Sequence, residues 1–178
     1  MPGLKNNRLQ RPWSIAGFTV ISALGCTLHF AYAWTDQSPF IAPFVPVNES
    51  VWEHLKLGLW GTILFSVLEY LLRPRCRKNY ILVRAMGIAA LSLSIVIIFY
   101  IYSSIAGHPI LAIDISTFFI GVFVGQIVYS KVLHDWSHLD NLGSAAILIL
   151  CFLFGLFTYI PPHLGIFLDH TTGKFGIP

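Results

Sequence analysis

A chain of 178 residues, 56% of them apolar and only 11% charged, with a mean hydropathy of +0.72, cannot cover a globular surface with charge; water-soluble domains carry roughly 25% charged residues. The net charge of +3 is too small for a nucleic-acid-binding surface, and Cys26, Cys76 and Cys151 lie too far apart for a disulfide framework or a metal-ligand spacing. The composition leaves an integral membrane protein whose first partner is the lipid bilayer.

A span needs about 20 mostly apolar residues, because the hydrocarbon core is about 30 Å thick and a helix rises about 1.5 Å per residue. Five runs meet that length, at 13–34, 51–72, 80–105, 110–130 and 142–160. None alternates as a membrane β-strand would, no internal repeat is evident, and the connections are too short for a second domain. The predicted fold is all-α, an integral membrane bundle of five transmembrane helices forming one domain over residues 1–178. Basic residues set the orientation. With the N-terminus inside, Lys5, Arg8, Arg11, Arg73, Arg75, Arg77, Lys78, Arg84 and Lys131 fall on the inner side, and only Lys56 and Lys174 outside. That distribution predicts N-in/C-out. Ala31-Tyr32-Ala33 closes the first run like a signal-peptidase site. The run exceeds the usual apolar core of about 7–15 residues and holds His29, so its retention is expected.

The first polar constellation is 46–56, PVNESVWEHLK, where the second run begins. Ser50-Val51-Trp52-Glu53 fits a capping box, in which the serine oxygen accepts the Glu53 N–H and the glutamate reaches back to the serine N–H. Lys56 can neutralise Glu53 or Glu49. A helix start thus explains Ser50, Glu53 and Lys56. It does not explain Glu49 or His54. Glu49 and Glu53, at i,i+4, set two like charges at the edge of a low-dielectric medium, where a bound cation or a raised pKa is expected.

Farther along, Glu69 and Arg73 form an i,i+4 pair, 73–78 reads as a positive inner loop, and 131–140 with His134, Asp135 and His138 reads as a solvated one. Asp114 lies about four residues, or roughly 6 Å, into the fourth run. An ionisable group at that depth faces the bundle interior. His108 precedes it in a Gly-Pro turn. Gly121-x-x-x-Gly125 on the same run is a small-residue face for close helix packing. After the fifth run Pro161 and Pro162 stop the helix, yet the tail that follows carries Leu164, Ile166, Phe167 and Leu168. An apolar tail is expected to fold back on the outer face, bringing His163, Asp169 and His170 with it.

The topology gathers His29, Glu49, Glu53, His54, His108, Asp114, His163, Asp169 and His170 at one face. Imidazole with carboxylate is the ligand set for zinc or another divalent metal. His-Glu-x-x-His is absent, and Glu53 and His54, being adjacent, point about 100° apart on a helix, so at most one of them ligates directly. The expected metal ligands are His54, Asp114 and His163, with Glu53 as an alternative to Asp114. Glu49 and Glu53 are the expected catalytic carboxylates, and Asn48, His29, His108 and Asp169 complete the candidate site.

The strings FIAPFVPVNESVWEHLKLG, GHP to LAIDI, GQIVYS and PPHLGIFLDHTTGKFGIP together resemble a family of small bacterial multi-pass membrane proteins described as a domain of unknown function. The similarity runs over essentially the whole chain. It implies a bacterial plasma (inner) membrane and brings no activity, cofactor or catalytic residue. Two functional readings stand beside each other. One is a metal-dependent hydrolase of a lipid or small substrate, with the ion activating water. The other is a non-enzymatic cation- or small-ligand-binding or transport protein, or a structural subunit of a membrane complex.

Overall fold

In lipid a chain must satisfy its own backbone N–H and C=O groups, so each apolar run is driven to helix. The structure, a computed structural model, describes residues 3–72, 80–131 and 139–177, with side chains from Pro12 onward. It contains α1 (Gly3–Trp34), α2 (Val51–Leu72), α3 (Tyr80–Ala106), α4 (Leu111–Lys131) and α5 (Asp140–Tyr159). All five are long and apolar enough to cross a membrane, α1 from Pro12 onward. Their bounds fall within two residues of the predicted runs, except that α1 begins well before its apolar part and continues through Pro12. Among the described residues there is no strand, only an isolated antiparallel bridge between Leu168 and Phe175.

Helix α3 is central, packing on α4, α5 and α2, while α1 packs on α2 and α4. The α3–α4 contact depends on small residues. A Cβ on Gly125 would stand 2.8 Å from the Gly87 carbonyl oxygen, and one on Gly121 would stand 3.1 Å from that of Leu91. The predicted small-residue face is therefore buried between two helices. Ile21, Leu55, Leu59, Phe65, Ile88, Leu91 and Val122 fill the middle of the bundle.

One end of the bundle collects the end of α1, the start of α2, the end of α3, the start of α4 and the end of α5. It is called here the Glu49 end. The 161–177 segment packs on it, with a short 3-10 turn at Gly165–Phe167. Phe167 packs on Trp52 and Phe157, at ring-centroid distances of 4.8 and 5.4 Å, and the Asn48 side-chain amide donates to the Gly176 carbonyl at 2.7 Å.

At the opposite, Glu69 end, the carboxylate of Glu69 is buried and bound to Arg84 of α3. It also accepts from the hydroxyls of Tyr80 (3.1 Å) and of Tyr129 on α4 (2.9 Å). The guanidinium of Arg84 lies 3.5 Å from the Tyr129 ring centroid. The expected partner Arg73, the rest of the 73–78 loop, and His134, Asp135 and His138 lie outside the described residues. Asp140, at the start of α5, accepts the Leu82 N–H at 3.0 Å and so ties α5 to α3.

The 35–50 connection does not simply cross over the helix ends. Asp36 and Gln37 take left-handed backbone angles (φ 50° and 57°) that turn the chain as α1 finishes. The chain then packs Ala42, Val45 and Val47 against Tyr32 and Leu28 of α1. Phe44 meets Trp60 of α2 at 4.9 Å between ring centroids, and a Cβ on Gly155 of α5 would stand 3.7 Å from Pro43. Lys56, fully buried, holds this segment from α2.

Candidate metal centre

The start of α2 is built partly as its sequence suggests. Ser50 Oγ accepts the Glu53 N–H at 3.3 Å, the serine half of a capping box. The reciprocal half is not formed. Asn48 Oδ1 takes the Ser50 N–H at 2.9 Å, an Asx turn. Glu53 is drawn elsewhere, accepting the Val47 N–H at 3.0 Å and the Lys56 ammonium at 2.5 Å. The ammonium also reaches Thr158 Oγ1 at 2.5 Å and the Ala42 and Val45 carbonyls at 2.9 and 3.2 Å. Glu53 is thus enclosed in a buried ion pair that joins α2, α5 and the 35–50 connection. That position does not suit a catalytic carboxylate, because its Oε2 is engaged by Val47 and Lys56 and the side chain is buried from water.

Releasing Glu53 to Lys56 leaves Glu49 to the histidines. Glu49 Oε2 lies 3.2 Å from His54 Nε2, and its Oε1 lies 4.0 Å from His29 Nε2 on α1. The three ligand atoms all fall within 4.8 Å of one another, and among the described residues no other group of three His, Cys, Asp or Glu side chains does so. The two imidazole rings stand 5.3 Å apart. The other nitrogen of His54, Nδ1, is 2.9 Å from the Ser50 carbonyl. A carbonyl only accepts, so Nδ1 carries a proton. Nε2 then faces a carboxylate, and the pair is favourable only if Nε2 also holds a proton or if a cation sits between them. Holding the remote nitrogen on a backbone carbonyl is how metal-ligating histidines are oriented. The hydrogen bond with His54 keeps the Glu49 carboxyl below the usual carboxylate range, and Glu49 is 46% exposed, so the cluster opens to solvent.

The remaining candidates divide into neighbours and outliers. Asp114, in the first turn of α4, accepts from the Tyr102 hydroxyl, which in turn accepts the Ile110 N–H at 3.2 Å. It is close enough to act electrostatically on His54, but it is not one of the three clustered donors. Asp169 acts on Glu49 in the same way, and its own carboxylate is committed locally. It accepts from the Thr171 N–H and hydroxyl at 2.8 and 2.6 Å and from the Thr172 hydroxyl at 2.7 Å. Burial pushes its pKa up, but these hydrogen bonds outweigh burial and hold it below the ordinary value. His163 is exposed, its ring 4.8 Å from Phe175. His108 is exposed and turned to the neighbouring Pro109 carbonyl. His170 packs against Phe99 at 5.7 Å. The expected trio of His54, Asp114 and His163 is therefore not what the fold assembles. His29 takes the place given to His163, because α1 and α2 pack side by side and bring a residue five positions inside α1 against the start of α2. Tyr102 carried no sequence signal beyond lying near the end of an apolar run.

No curated protein and no solved structure matches the chain. Residues 3–177 match the model of a family of unknown function (DUF6512), and the chain belongs to that family.

Proposed function

We propose that this chain is a metal-dependent hydrolase of the plasma membrane, oriented N-in/C-out, with a divalent ion of the zinc class held by His29, Glu49 and His54 at the outer end. The carrying observation is the convergence of two imidazole Nε2 atoms and one carboxylate within 4.8 Å, with His54 fixed from behind by the Ser50 carbonyl. Zinc–nitrogen and zinc–oxygen bonds of about 2.0–2.2 Å put tetrahedral donors roughly 3.3–3.6 Å apart. The 3.2 Å between His54 and Glu49 falls just short of that spacing and the 4.0 Å between His29 and Glu49 just beyond it, so small side-chain shifts bring the donors into range. Three protein donors with an open position is the pattern of catalytic rather than structural zinc, and the exposure of Glu49 leaves that position to water. An ion held by these three residues would lower the pKa of a bound water and polarise a substrate carbonyl or phosphoryl oxygen. Of the two carboxylates that act on the cluster from outside the donor set, Asp169 is committed to Thr171 and Thr172, and Asp114, held by Tyr102, is assigned as the acceptor of the water's proton. The outer placement rests on the basic residues of the sequence, of which an N-in/C-out topology assigns nine to the inner side and two to the outer. The apolar packing between the two ends speaks against conduction through a single chain.

The test is metal content and turnover measured together on purified protein. Wild type is expected to retain stoichiometric zinc after dialysis. His29→Ala, His54→Ala and Glu49→Gln are each expected to weaken binding by at least ~100-fold, beyond the roughly 10–100-fold typical of a residue behind the ligands. Asp114→Asn is expected to keep the metal and lose hydrolysis of ester or phosphoester probes. Equal metal content in wild type and His54→Ala overturns the proposal.

A further inference from the structure

The 35–50 connection carries a surface that the metal centre does not use. Its middle dips beside the helices: the Trp60 indole, nine residues into α2, donates to the Pro43 carbonyl at 3.1 Å, and Gly155, four residues inside α5, faces Pro43. At about 1.5 Å per residue, Gly155 lies roughly 6 Å below the end of α5. A non-helical backbone at such depth is tolerated where protein satisfies its polar groups, and here side chains of α2 and α5 take up four of the loop carbonyls. The Pro39 carbonyl accepts from the Tyr159 hydroxyl at 2.5 Å, Pro43 from Trp60, and Ala42 and Val45 from the buried Lys56 ammonium. Three side-chain donors thus serve four loop carbonyls. The side chains that point away are large and apolar, with Phe40 89% exposed and Phe44 47%. Trp34, exposed at the end of α1, and Tyr159, exposed at the end of α5, flank them, and exposed Trp and Tyr mark the level of the lipid headgroups.

We infer that the segment 38–45 is a re-entrant loop whose Phe40 and Phe44 side chains insert into the lipid leaflet at the Glu49 end. Lys56 is buried in the membrane-spanning α2 because it holds this loop rather than because it binds a ligand. The same loop runs directly into Glu49, so the carboxylate is anchored from the lipid side. The inference is independent of the metal reading, since it rests on contacts that none of the three clustered donors makes.

The experiment is site-directed spin labelling of the full-length chain in phosphatidylcholine–phosphatidylglycerol vesicles. Cys26, Cys76 and Cys151 are replaced by alanine, and single cysteines are placed at Phe40 and Phe44. Asp36→Cys serves as the aqueous reference and Leu148→Cys as the lipid reference, both positions being exposed. Labels at 40 and 44 are expected to collide with molecular oxygen more than with a water-soluble nickel chelate, as at 148 and opposite to 36. In a Lys56→Met background, which removes two of the carbonyl contacts, nickel accessibility at 40 is expected to rise several-fold. Labels at 40 and 44 that are as accessible to nickel as the one at 36 overturn the inference.

Discussion

His54 shows how one side chain is committed from two directions. Its Nδ1 proton is held by the Ser50 carbonyl and its Nε2 faces Glu49, so neither ring rotation nor the other tautomer is free. His54→Gln, which keeps a polar group but no imidazole, should therefore bind zinc as poorly as His54→Ala, and titration calorimetry of the two variants checks this. Asp169 is a second commitment of this kind. Its folded pKa is lowered by Thr171 and Thr172, so its contribution to holding the 169–174 turn is fully present above the unfolded carboxylate value of about 3.9 and is lost as pH falls through the lower folded value. Hydrogen–deuterium exchange of 169–174, corrected for the intrinsic pH dependence of exchange, should show protection falling below about pH 4 in wild type, and already reduced at neutral pH in Asp169→Asn. The sequence displayed the right chemical types here but not their pairing. Glu49, His54 and Asp114 stood out because charge is rare in an apolar chain. Which carboxylate would be consumed by Lys56 depended on backbone donors such as Val47 N–H that no side-chain pattern reports.

Between elements, the buried pairs decide register. Glu69 and Arg84 join α2 to α3, and Tyr129 adds α4 through the same carboxylate. Removing one partner leaves an uncompensated buried charge, which costs about 3–5 kcal/mol, whereas replacing both with apolar groups is often nearly neutral. Thermal unfolding in detergent should therefore show Arg84→Met strongly destabilised and Glu69→Leu/Arg84→Met restored only in part, because the buried Tyr129 hydroxyl loses its acceptor. The local reading of Glu69 with Arg73 rested on i,i+4 spacing, which is visible in a sequence. The contact with Arg84 closes across a helix hairpin and becomes visible only once α2 and α3 are packed.

For the molecule as a whole, the span count, their limits and the buried glycine face were legible in the sequence, because apolar length and small-residue spacing are local and periodic. Gly87 and Gly125 set how closely α3 and α4 approach. Gly125→Ala forces the two backbones apart and should cost roughly 1–3 kcal/mol, again read by unfolding in detergent. The descent of the 35–50 connection beside α2 was not legible. It is the sum of contacts from α1, α2 and α5, each far from the loop in sequence, and its apolar residues look like any short linker between spans. The same limit explains His29, whose place beside Glu49 depends on how α1 lies against α2.

The burial of Lys56 also makes it a clock. Lys131 and Lys174 are exposed and should be acylated at once by an amine-reactive reagent added to the native protein. Lys56, with its ammonium enclosed by four oxygens, can react only after the loop lifts away. Where acylation outpaces reclosing, its rate equals the opening rate of that segment, so mass spectrometry of one peptide times a motion at the membrane surface without any label built into the chain.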